Sequence, residues 1–344
     1  MTERVLSVRE LNRALLARQL LLERARLPVT RALERVGPLH AQGVESTYVN
    51  LWSRIADFRR QQLTRALERR GVVRGNLLRN TLHLHSAREY PLYHAALRGP
   101  RQDWLASAWK QRFDERQLAR AERALREAGA RPLADLIEVV GGDRWLVLAA
   151  SIRYGLVTTP PAGIWGFHGP PTYLLAESWL GALPADPAAA MANVVRHYFA
   201  AFGPATVDDL CFWASLRRRD VAPALDALDL RRLRDEKGRE LLDLPRAPLP
   251  PPDTPAPARF LLRWDNLYLG HASGERDRIV PPAFRKHVYT VNTVMPATFL
   301  VDGFVAGTWR YQRGRVELEP WRRLSKGERS ELSDEAEQLA AFMN

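Results

Sequence analysis

The chain has 344 residues, 46% of them hydrophobic, with 51 Lys and Arg against 39 Asp and Glu, a formal net charge of +12. That length predicts two to four domains and that composition a folded chain. The longest clean apolar run, 145–151, is far too short to span a bilayer, and the start of the chain has no apolar signal core, so a soluble, cytoplasmic protein is expected.

In chain order, Ser7 and Glu10 form a capping box that opens a first helix through Leu11, Leu15, Leu16 and Gln19. A second helix is predicted over 30–39, disturbed at Gly37-Pro38, and a third from Ser46 through Leu51, Trp52 and Ile55. A fourth runs over 61–70 and ends at Gly71, after which 72–84 turns to strand-like alternation. Three or more helices followed by a short hairpin outline a winged helix. The outline recurs as helices over 133–140 and 143–154 with strands 156–158 and 172–175. It recurs again as helices 191–201, 207–214 and 220–228, with strands 230–234 and 240–244 around the turn 235–238. Seven prolines between Pro245 and Pro257 predict a stiff linker. Beyond it, 259–263, 297–301, 304–311 and 315–320 read as strands, Asp302-Gly303 as a tight hairpin turn, and 325–342 as a helix capped by Ser325 and Glu328. The expected class is therefore α+β: three tandem winged helices and a C-terminal β-rich, barrel-like domain. The segments are 1–100, 101–186, 187–247, a linker at 248–257, and 258–344.

The positive charge is localised. Residues 1–110 carry 20 basic against 9 acidic side chains, a net of +11, whereas the remaining residues are nearly neutral. A concentrated basic field is the footprint of a polyanion binder. Arg54, Arg59, Arg60, Arg65, Arg69, Arg70, Arg74 and Arg79 are the candidates for phosphate contact, as a set more than singly. The triplet Arg217-Arg218-Arg219 could meet phosphate or simply be a solvated face. No metal site is expected: His83 and His85 make an H-x-H pair on one strand face but lack a third ligand. The lone Cys211 excludes an internal disulfide and sits in a helical apolar pattern, which points to packing and not to a nucleophile.

One feature stands apart. His40-Ala41-Gln42 sets two polar side chains, one residue apart, in an apolar stretch. Buried without partners, each would cost roughly 1–3 kcal/mol. Either they hold a water against a substrate or they brace a helix end, and spacing alone favours the bracing role.

Five stretches taken together resemble the bacterial winged-helix DNA glycosylases of the AlkZ/YcaQ type. They are Leu39-His40-Ala41-Gln42 with Asn50 to Arg54, Arg79-Asn80-Thr81-Leu82-His83, Gly203-Pro204-Ala205-Thr206, Arg263-Trp264-Asp265-Asn266, and Val301 to Arg310. The likeness extends over about residues 8–320. It implies three winged helices in a C around duplex DNA and excision of N7-alkylated purines, in some members with unhooking of interstrand crosslinks or self-protection of producers of DNA-alkylating antibiotics. It implies no cofactor and no membrane, and a monomer acting on double-stranded DNA with alkylated purines, associated with the nucleoid. The family's catalytic pair is commonly Gln-x-Gln or Gln-x-Asp. Gln42 matches the second position, and His40 at the first departs toward an HxQ variant. His40 and Gln42 thus become the expected catalytic residues of a monofunctional glycosylase. The competing readings are a non-catalytic DNA binder, such as a regulator or lesion-shielding protein, and a protein-binding scaffold, against which the concentrated basic charge argues.

Overall fold

The structure, a computed structural model, describes residues 4–183, 186–289 and 295–344. Residues 1–3, part of the stretch read for a leader segment, lie outside the described residues. Strand β1 (Val5–Leu6) leads into helix α1 (Val8–Arg18). The expected capping box opens α1: the Glu10 N–H donates to the Ser7 hydroxyl and the Ser7 N–H to the Glu10 carboxylate. Helix α2 (Val29–Val36) does not reach residue 39. Gly37, at φ +84°, takes the chain out of the helix, and Leu39–His40 form a short strand, β2. Helices α3 (Val44–Trp52) and α4 (Arg60–Glu68) follow, then the hairpin β3 (Val72–Asn76) and β4 (Leu82–Ser86).

Next come α5 (Tyr90–Ala108), α6 (Glu115–Ala128), β5 (Arg131–Pro132), α7 (Leu133–Val139) and α8 (Arg144–Tyr154). A second hairpin, β6 (Leu156–Thr159) with β7 (Thr172–Leu175), and the short α9 (Ala176–Leu180) complete this part. Helices α10 (Pro187–Phe202), α11 (Val207–Ala214) and α12 (Arg218–Asp226) precede a third hairpin, β8 (Arg231–Asp235) with β9 (Glu240–Asp243). The C-terminal part holds β10 (Arg259–Leu261), α13 (Asn266–Leu269), α14 (Arg285–Val288), β11 (Thr298–Val301), β12 (Phe304–Gln312), β13 (Arg315–Pro320) and α15 (Lys326–Met343).

The first two hairpins are not independent. β3 pairs with β6, Arg74 opposite Thr158 and Gly75 opposite Val157, so one sheet of six strands runs in the order β2-β4-β3-β6-β7-β5. Gly75 permits this: a Cβ there would sit 2.7 Å from the Tyr90 ring and 3.3 Å from Val157. The third hairpin gains β1 as a parallel edge strand. Among the described residues the C-terminal strands form an open sheet in the order β10-β11-β12-β13, so the barrel-like closure expected from the sequence is not made there. The apolar face is instead buried in a core shared with the N-terminal helices, where Phe260, Phe299 and Trp309 join Tyr48 and Leu51 of α3 and Leu339 of α15. The proline-rich segment is not a free spacer. Arginines of α1 strap it down, Arg9 donating to the Pro252 carbonyl, Arg13 to that of Thr254 and Arg18 to that of Pro248. Among the described residues no helix is long and apolar enough to cross a membrane.

Candidate active site

His40 ends β2 at the edge of the six-stranded sheet, directly opposite His83 of β4. Both backbone polar groups of the next residue are fixed. The Ala41 N–H donates to the Leu82 carbonyl at 2.7 Å, and the Ala41 carbonyl accepts from Arg74 Nε at 2.8 Å. The chain then bends, leaves Gln42 exposed, and enters α3 at Gly43. A two-residue strand, two locked peptide groups and a helix start thus hold the polar pair on a rigid backbone.

The two side chains differ in their surroundings. His40 is 5% exposed, edge-on to the His83 ring at 5.5 Å and tilted against Trp264 at 5.7 Å. Its Nδ1 is buried and has no hydrogen-bond partner among the described residues. Burial first, then the charges of Arg79 and Arg74, pull its pKa down to about 4, against a smaller opposing effect of Gln42. An ordinary histidine titrates near neutral pH; desolvation moves His40 well below, so it is neutral throughout the physiological range. The bracing role is met only in part. His40 is buried yet keeps an unpaired nitrogen, and Gln42 faces solvent.

Several groups that the sequence offered in other roles, or only as parts of the resembling stretches, surround the pair. Thr81's carbonyl lies 2.9 Å from His83 Nδ1 and Arg79 lies 3.1 Å from His83 Nε2, which sets the neutral tautomer with its proton on Nδ1. Arg79 also donates to the Trp213 carbonyl of α11. Trp264 and its neighbours come from far along the chain. Asp265 takes Arg54 in a bidentate pair at 2.7 Å, both side chains fully buried, and Asn266 donates to the Val36 carbonyl. The fold therefore packs two of the resembling stretches, 50–54 and 263–266, against each other. The residue types were visible in the sequence; their meeting was not.

The candidate phosphate-binding arginines separate into three groups. Arg59, Arg65, Arg69 and Arg70 are exposed, Arg70 also lying over the Trp179 ring at 4.2 Å. Arg60 is clasped between Trp165, at 4.0 Å, and Phe342, and Arg79 is occupied as described. Arg54 and Arg74 are buried. The Arg54 guanidinium is enclosed, its two terminal nitrogens held by Asp265 and the Asn50 carbonyl, while its Nε has no partner among the described residues. Arg217, Arg218 and Arg219 are paired with Asp103, Asp208 and Asp220. His83 and His85 stand side by side, and no group of three or more His, Cys, Asp or Glu among the described residues is arranged to hold a metal. Cys211 is half-buried, its thiol pushed up to about 11 by burial and Asp208.

The chain belongs to the AlkZ-like DNA glycosylase family, whose sequence profile matches residues 33–342. Its fold is similar to that of Streptomyces sahachiroi DNA glycosylase AlkZ, with a TM-score of 0.82 over 98% of this chain and 97% of that one, at 19% identity. No curated protein sequence matches the chain.

Proposed function

We propose that the protein hydrolyses the N-glycosidic bond of N7-alkylated purines in duplex DNA, with His40 and Gln42 placing and activating the water. The observation that carries this reading is the polar pair itself: an exposed amide beside a neutral imidazole with an unpaired nitrogen, on a backbone locked from both sides. An N7-alkylguanine is cationic in the nucleoside. As the bond from C1′ to N9 breaks, its electron pair neutralises the base and the sugar becomes oxocarbenium-like. Gln42 accepts a hydrogen bond from the water and aims its lone pair at C1′. His40 takes the proton that the water loses as it adds. The products are neutral base, an abasic sugar and one proton, and no strong carboxylate base is required. Bulky adducts and interstrand crosslinks fall within the same chemistry.

The remaining elements fit this reading. The three helix–hairpin units are three tandem winged helices with the boundaries given above, acting as a monomer on nucleoid DNA. Arg59, Arg65, Arg69 and Arg70 are the exposed phosphate contacts. The HxQ pattern is a working variant of the family's pair. The test is single-turnover release of N7-methylguanine from duplex DNA. Gln42→Ala should lower the rate on the order of 10²-fold with binding nearly intact, the low end for a positioning group because the leaving group is labile. His40→Gln should retain activity and His40→Ala lose more. Equal release by the wild type and the double alanine variant would leave a non-catalytic DNA binder.

A further inference from the structure

Several guanidiniums inside this protein face a carboxylate: Arg54 has Asp265, Arg18 has Asp243 and Arg24 has Glu335. Arg79 and Arg276, beside the candidate active site, pair with none among the described residues. Asp277, next to Arg276, is taken by Arg285 and Lys237.

The two arginines meet from distant parts of the chain. Arg79 lies in the loop between β3 and β4. It donates to the Trp213 carbonyl of α11 and stands 3.1 Å from Nε2 of His83, the ring set edge-on to His40. A guanidinium has five donors, and these contacts use two. Arg276 donates to the His271 carbonyl at 3.1 Å, and its guanidinium lies 5.2 Å over the ring of Phe212, the residue before Trp213, and 4.7 Å over that of Tyr289. Both cations therefore converge on residues 212 and 213. Burial first, then the charge of Arg276, pull the Arg79 pKa down to about 10. Both side chains keep partial contact with solvent, and Phe212 is exposed.

The loop is built to hold this position. Arg79 sits at φ +49°, a left-handed backbone that costs a residue of this type on the order of 1 kcal/mol. Asn80 follows at φ +54°, its side chain fixed by Arg101 Nε at 2.8 Å. Backbone strain, desolvation without a counter-charge and repulsion between two cations all oppose the arrangement. An anion placed between the guanidiniums offsets the last two, and a phosphate has the oxygens to accept from both. We propose that Arg79 and Arg276 clamp a backbone phosphate flanking the target nucleotide and so position its sugar against His40. The inference rests on the reading above, in which His40 and Gln42 act on a nucleotide in duplex DNA. It has a chemical consequence. Left alone, Arg79 opposes the positive charge that grows on the sugar as the base leaves; the clamped phosphate cancels that opposition before the bond breaks.

The experiment measures binding to a duplex with one tetrahydrofuran residue, a stable abasic sugar, in which single phosphates are replaced in turn by neutral methylphosphonate. The wild type is compared with Arg276→Gln, with melting temperatures recorded for both. Neutralising one of the two phosphates beside the tetrahydrofuran should weaken wild-type binding about tenfold, the range of a hydrogen bond to a charged group. Arg276→Gln should bind the all-phosphate duplex about tenfold more weakly and respond to that methylphosphonate by less than about twofold, because the partner is already gone. Methylphosphonates farther along the duplex should act equally on both proteins. If Arg276→Gln is unstable, the wild-type series decides: a loss at a flanking phosphate supports the clamp and indifference at both overturns it. Losses from the variant and the flanking methylphosphonate that multiply also overturn it, since they place Arg276 away from that phosphate. Either result leaves the N7-alkylpurine reading standing, which is decided by base release from N7-methylguanine DNA. Absence of duplex binding by the wild type overturns both.

Discussion

Removing one partner of the Arg54–Asp265 pair should unfold the protein long before it affects DNA contact. Both side chains are fully buried and bonded twice, at 2.7 Å. Asp265→Ala leaves a guanidinium enclosed without a counter-charge, a loss of about 3–5 kcal/mol. Asp265 also accepts from the Leu267 N–H at the start of α13, and losing that cap adds about 1 kcal/mol. In a chain of this size roughly 2 °C of melting temperature accompanies each kcal/mol, so a fall of about 8–12 °C is expected by circular dichroism. Arg54→Met should cost about as much, because it strands the carboxylate. Combining Arg54→Met with Asp265→Leu should recover most of the loss, since an apolar pair avoids the desolvation of both charges. The reasoning fails if Arg54→Met melts like the wild type and instead weakens DNA binding with a shallower salt dependence, which would put Arg54 on a phosphate.

On the proposed mechanism, with His40 as the base and its pKa lowered to about 4, the excision rate should be flat from pH 8 to about 5 and decline below about 4; a midpoint near 6.5 would contradict the burial assigned to the ring. Stability should be lost as pH falls from about 6.5 toward 4. Burial holds His85 down to about 3 and His94 and His197 to about 4, so in that window the unfolded chain binds protons that the folded chain refuses. The sum is on the order of several kcal/mol, read from urea midpoints across pH, and a midpoint that does not move would count against it. Arg65→Glu with Arg69→Glu should weaken binding to all duplex sequences alike and reduce the slope of log affinity against log salt by about 2, one unit for each lost phosphate contact; an unchanged slope would place the DNA elsewhere.

What the sequence disclosed was local chemistry. The capping boxes at Ser7 and Ser325, and the Asp302-Gly303 turn between β11 and β12, stand where the residues indicated, because a cap or a tight turn is decided within four residues. The failures have one cause. The residue pattern to 39 continues a helix, but Leu39 and His40 gain hydrogen-bond partners on β4, more than 40 positions away, and the strand wins. The joining of β3 to β6 depends on register between two hairpins, which no local pattern encodes. Arg54 and Arg65 are the same residue type in the same basic stretch, yet one is buried and one exposed; only the position of Asp265, 211 residues on, separates them. At the candidate site the polar pair was legible, whereas the depressed basicity of His40 was not, because it comes from Trp264, His83 and Arg79 closing over the ring.

That closure has a bearing on when the molecule can first work. During synthesis the polar pair leaves the ribosome within the first eighth of the chain, but the segment that covers His40 and neutralises Arg54 follows 211 residues behind Arg54. At about 5–20 residues per second this is a wait of roughly 10–40 s in which the basic N-terminal part is exposed with its anchoring arginine uncompensated. A ribosome-bound nascent chain can therefore meet DNA before it has an organised site. The same arrangement bars the N-terminal third from use as a detachable module: cut free, it would carry the polar pair without the wall that makes His40 a neutral base.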